Sequence, residues 1–96
     1  MPKFRVEGVA TIRARSMFFC HGDVVSGKVA IGQRVVTPVG LPAVAAIEFA
    51  LFSQPTRHEK PALGFQFEDE DHLARLQHLL PVGTELVLAE DGGVAV

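Results

Sequence analysis

The chain has 96 residues, of which 48% are hydrophobic and 21% charged, and its formal net charge is −2. That is one domain's worth of core-forming chain, so a disordered segment and a multidomain enzyme are both excluded as expectations. Its single cysteine, Cys20, rules out an internal disulfide framework and suits a reducing, cytoplasmic setting. The weak net charge argues against a strong overall electrostatic grip on nucleic acid. No apolar run approaches the roughly 18 residues of a membrane helix, and the first residues, MPKFRVEG, carry no signal-peptide core.

Residues 3–15 alternate. Phe4, Val6, Gly8, Ala10, Ile12 and Ala14 are apolar or small, Lys3, Arg5, Glu7, Thr11, Arg13 and Arg15 are polar, and Val9 alone breaks the polar face. A period of two with one apolar face predicts a half-buried antiparallel strand, which lines up Lys3, Arg5, Arg13 and Arg15 as a basic row. The segment 16–20, SMFFC, reads as a strand that ends at a turn signal, His21-Gly22-Asp23. Phe18 and Phe19 are adjacent and so point to opposite faces, which leaves one of them outside the core or under a covering loop. Residues 24–31 are β-branched, with a turn or bulge at Ser26-Gly27, and 35–37 form a short strand closed by Pro38. In 44–52, Ala45, Ile47, Phe49 and Leu51 make one face, while Val44, Ala46, Glu48, Ala50 and Phe52 make another with a single charge. A polar loop over 53–60 leads to a strand over 62–67, with Leu63, Phe65 and Phe67 on one face.

Residues 69–80 are the one convincing helix. Leu73, Leu76 and Leu80 form an apolar stripe, Asp69 is a good N-cap, and the acidic cluster at 68–71 suits the positive end of the helix dipole. Pro81 ends the helix, Gly83 turns the chain into a last strand over 85–89, and 90–96 read as a frayed tail. About six strands, tight turns and one short helix predict an all-β protein: a small six-stranded antiparallel Greek-key barrel over about 3–89, in a single domain covering 1–96.

The spacing of Phe4, Val6, Val9, Ile12 and Arg15, then the Met-Phe-Phe-Cys strand, then Gly22, Gly27, Gly32 and Val35 in order, resembles the second domain of elongation factor Tu and related translational GTPases. Ile47-Glu48-Phe49 is similar to that domain's fourth strand, Leu63-Gly64-Phe65 to its fifth, and Pro81-Val82-Gly83 to the glycine turn before its last. The resemblance implies a Greek-key barrel, here expected to be free-standing without the GTPase domain, whose partners are RNA or a translation-related protein. Two departures stand out. The family's Arg-Gly pair before the second strand is Arg15-Ser16 here. The fourth-strand glutamate that tRNA-binding members use matches Glu48, but the arginine expected three residues later is Leu51.

Gly22–Lys28 nearly spells a phosphate-binding loop, but position 29 is Val and the segments around it read as strand, so no nucleotide is expected. Cys20, His21 and Asp23 lack further ligands at metal spacing, and no carboxylate pair stands at acid–base spacing. The expectation is therefore a binding protein that is not an enzyme, with no cofactor and no metal. Arg5, Arg13, Arg15 and Glu48 are its candidate contacts to RNA or a protein. The alternative is a protein–protein adaptor or homo-oligomer, such as a homodimer, that uses an exposed apolar face. For that reading the candidates are Val9, Phe18, Phe19 and Phe52, residues off the core faces of their strands.

Overall fold

A computed structural model describes residues 1–53 and 57–89, and the side chains of 1–48 and 60–89. Its elements are β1 (Lys3–Ile12), a 3₁₀ turn (Arg13–Arg15), β2 (Met17–Ser26), β3 (Val35–Thr37), β4 (Ala46–Ser53), β5 (Arg57–Gln66), α1 (Glu70–Leu79) and β6 (Glu85–Leu88). The six strands form one antiparallel sheet in the order β3-β6-β1-β2-β5-β4, curled into a half-barrel with α1 packed on its core. The all-β barrel class with one short helix is thus what the chain adopts. No helix among the described residues is long and apolar enough to cross a membrane.

The first strand begins as its alternation predicts, with Phe4 and Val6 buried and Lys3 and Arg5 exposed. It then slips. Val6 faces Gly22 and Gly8 faces His21, so Glu7 is an extra residue on β1, a β-bulge. The bulge reverses the phase of everything that follows. Val9 and Thr11 now share the face of their partners Cys20 and Phe18, while Ala10 and Ile12 turn to the other side with Phe19 and Met17. This explains why Val9 broke the sequence pattern.

The bulge also accounts for a second departure. His21-Gly22-Asp23 is no turn: β2 runs straight through it to Ser26. A side chain at position 22 would overlap the Arg5 carbonyl oxygen, so glycine is needed for the close approach of β1 at the bulge. The reversal comes later, at Gly27, which has a φ of 72°. Of the loop expected over 53–60, residues 57–60 belong to β5, which pairs with β4 from Arg57 to Gly64.

The two adjacent phenylalanines are both buried, in separate clusters. Phe18 joins Phe4, Val6, Cys20, Leu63, Phe65 and the α1 stripe of Leu73, Leu76 and Leu80 in the main core. Phe19 lies on the opposite face of the sheet with Met17, Ala62 and Ala46. Gly64 makes that second cluster possible, because a Cβ there would stand 2.7 Å from both Met17 Cε and Phe19 Cε1.

Asp69 caps α1 as its position predicts, its side chain accepting a 2.8 Å hydrogen bond from the His72 amide. The ends of the sheet meet at a narrow seam. Gly32 N donates to Val44 O at 2.7 Å, and Val44 N donates to Gln33 O at 3.0 Å. Gln33 is the buried polar side chain of this seam. Its Oε1 accepts from Ala30 N at 3.0 Å, and its Nε2 donates to Ala89 O at 2.8 Å and to Lys28 O at 3.3 Å.

Ser16, at the position where the resemblance expects glycine, has left-handed backbone angles (φ 52°, ψ 41°). A side chain costs about 1–2 kcal/mol in that region, and glycine gives back part of this through its unfolded-state entropy. Ser16→Gly is therefore expected to stabilise the fold by about 0.5–1 kcal/mol. Chemical denaturation of the two proteins measures the difference, and an unchanged or lower midpoint contradicts it.

Candidate functional site

The basic row does not form, because the strand that was to carry it ends at Ile12. Ser16 reverses the chain, and Arg13 to Arg15 wind into a 3₁₀ turn that aims the two arginines at different partners. Arg13 reaches the first turn of α1, where its Nη2 lies 3.1 Å from Glu70 Oε1 and its Nε donates to Oε2 at 3.2 Å. Arg15 crosses the outer face of the sheet to Glu48 on β4, Nη2 to Oε2 at 2.7 Å. On the way its guanidinium passes 5.4 Å from the centre of the Phe19 ring, within cation–π range. Arg5 stays on β1, exposed.

Arg15 and Glu48, singled out separately in the sequence, thus form one site over Phe19. Glu48 has Arg15 where the resemblance expects an arginine on its own strand. A second charged cluster lies across β1, β2 and β5. Lys60 Nζ is 2.9 Å from Asp23 Oδ1 and 3.1 Å from Glu7 Oε1, so the bulged residue Glu7 is tied down by charge.

These contacts set the titration behaviour. Hydrogen bonds from Lys60, Arg15 and Arg13 hold the carboxyls of Asp23, Glu48 and Glu70, respectively, below the ordinary carboxylate range. A carboxyl depressed in the folded state stabilises fully above its unfolded value, and that contribution is lost as pH falls through the folded value. Stability is therefore expected to drop on acidification below the ordinary carboxylate range. The drop is modest because all three pairs are solvated, and thermal melts across that pH window read it directly. An acid-insensitive melting temperature contradicts this assignment.

Cys20 behaves oppositely: burial pushes its thiol up to about 12. It is expected to resist thiol-specific reagents at neutral pH while the chain is folded and to react at once in denaturant. Rapid labelling of the native protein would contradict its placement.

The apolar candidates divide. Phe18 is fully buried and is removed as an interface residue, because the main core consumes it. Phe19 is only 6% exposed, covered by its own cluster and approached by Arg15, so it too is corrected from a free surface residue to a supporting one. Val9 is 43% exposed and remains available. The side chain of Phe52 lies outside the described residues.

Among the described residues, no group of three or more His, Cys, Asp or Glu side chains could hold a metal. An open groove of about 470 Å³ runs between α1 and the loop before β4, lined by Val39, Gly40, Ala74, Arg75, His78 and Leu79. Gln33 was missed by sequence reasoning. Its one visible signal is a polar residue two positions before a β-branched strand, and that is common in turns. No protein-family model, curated protein or solved structure matches this chain.

Proposed function

We propose that the chain is a non-enzymatic docking module, related to the second domain of translational GTPases, which presents the outer face of its sheet around Arg15 and Glu48 to a translation-related protein. The observation that carries this reading is the paired site itself: an arginine and a glutamate, both about half exposed, held 2.7 Å apart over a buried aromatic ring. Such a pair can exchange its internal partner for complementary charges on another protein, because a solvated ion pair costs little to open. The interior supports docking on the outside, since Phe4, Phe18, Phe65 and the leucines of α1 fill the space between sheet and helix.

The kinship has its own support. Ile47-Glu48-Phe49 falls in β4, the fourth strand, Leu63-Gly64-Phe65 in β5, the fifth, and Pro81-Val82-Gly83 just before β6, the last. Ser16 holds the backbone shape of the glycine it replaces. RNA is the less favoured partner. Arg13 and Arg15 are each neutralised by a carboxylate, and the chain has no Trp or Tyr to stack on bases.

The test compares wild type with Arg15→Glu and Glu48→Arg in affinity capture from the native cell, beside a titration with bulk tRNA at low salt. The reading expects a protein retained by wild type, lost by each charge reversal and regained by the double reversal. Equal capture by all forms overturns it, and salt-sensitive tRNA binding that falls in Arg15→Glu replaces it with the RNA reading.

A further inference from the structure

We infer that the second half of β1 is an open strand edge that pairs with the same edge of a second copy, joining two half-barrels into one continuous sheet. This inference is separate from the docking reading, which uses the face of the sheet over Phe19 and not the edge of β1, although Ala10 stands directly beside Phe19.

The edge follows from the hydrogen-bond ladder. β6 pairs with β1 only at Lys3 to Arg5, and the turn before β6 takes up the peptide groups of Val6: Val6 N donates to Thr84 O and Val6 O accepts from Gly83 N, both at 2.8 Å. Beyond Val6, β1 has a strand neighbour on one side only among the described residues. The direction of the remaining peptide groups can be fixed. Phe67 N donates to Ser16 O, so the alternate residues Phe18 and Cys20 turn their peptide groups toward β5 and away from β1. Their partners across the ladder are Thr11 and Val9. In antiparallel pairing, residues opposite each other either both face inward or both face outward. Val9 and Thr11 therefore present their N–H and C=O groups to the open side. Val9 is 43% exposed and Ile12 37%, and Ala10 is exposed as well, so nothing described covers this edge.

A row of outward peptide groups selects an extended strand as its occupant, and an uncovered edge is a template that folded proteins normally block. Two features fit a second copy. In an antiparallel pairing about a two-fold axis at Ala10, Val9 stands opposite Thr11 of the other chain. Both are outward-facing residues, so each of the two symmetric pairs closes two hydrogen bonds. The residues on the axis are alanines, whose methyl groups fit the short separation of a pair that exchanges no hydrogen bonds.

Sedimentation of the full chain across a wide concentration range, together with residue-resolved amide exchange, tests the assignment. A reversible dimer is expected. The Val9 and Thr11 amides should gain protection as concentration rises, while that of Ala10, already bonded to β2, stays protected throughout. Thr11→Pro removes an outward amide and no bond within the chain, so it should abolish association while leaving the fold intact by circular dichroism. Should that variant unfold, Val9→Pro decides: it removes the other outward amide and is likewise expected to abolish association. A chain that is monomeric at every concentration overturns the inference. So does a dimer that ignores both proline variants, or one with no concentration-dependent protection at Val9 and Thr11.

Discussion

Gly22→Ala is expected to remove a large share of the protein's folding stability. The new Cβ would overlap the Arg5 carbonyl oxygen, with the Glu7 amide nitrogen only 3.1 Å away. Both are backbone atoms fixed by the bulge, so no rotamer change relieves the clash. Either β1 withdraws from β2 or the bulge is lost, and losing it would put Val9 and Thr11 on the wrong face. Overpacking with no escape costs about 4–5 kcal/mol, a large share of the roughly 5–10 kcal/mol a domain of this size has. Urea denaturation followed by circular dichroism measures it. Gly8→Ala is the comparison, because the atoms nearest its Cβ belong to the side-chain ring of His21 and not to fixed backbone. If Gly22→Ala is no worse than Gly8→Ala, the bulge does not sit where it is described.

Phe65→Ala is the second large effect, expected at about 3–5 kcal/mol. Phe65 is fully buried in the main core and stands opposite Phe18 in the β2–β5 ladder. Its loss opens a cavity at the middle of the sheet, where α1 and five strands cannot all collapse inward. Phe18→Ala should cost a similar amount. The double variant should cost less than the sum, since the two rings line the same space. Full additivity in a denaturation cycle would place them in separate environments and contradict the shared core.

The sequence shows most of this architecture where a pattern is uninterrupted. Phe4 and Val6 alternate with charges, the α1 leucines recur at helical spacing, and Asp69 stands where a cap belongs. Each is a local regularity, and each folds as it reads. Legibility fails where a distant contact overrides a local signal. His21-Gly22-Asp23 has the composition of a turn, yet its glycine answers to the carbonyl of Arg5 on another strand. Phe18 and Phe19 could be assigned to opposite faces from their adjacency, but not to two buried clusters, because the second depends on Gly64 lying beneath Met17 and Phe19.

The candidate site follows the same division. Arg15 and Glu48 can each be picked out by type and position. Their union spans 33 residues and depends on the left-handed Ser16, which turns Arg15 out of the strand. Gln33 illustrates the limit best. Nothing near it in sequence announces that its amide will serve Lys28, Ala30 and Ala89 together.

The backbone at that glutamine gives the half-barrel a clasp. β1 and β2 share nine residue pairs, whereas among the described residues the two ends of the sheet are fastened by two backbone hydrogen bonds, from Gly32 to Val44 and from Val44 to Gln33. Thermal breathing will therefore part the wall at this point first, swinging β3 and its preceding loop outward while the long hairpin of β1 and β2 stays shut. A small molecule, a proteolytic cut or an inserted segment would find its easiest way into the interior there.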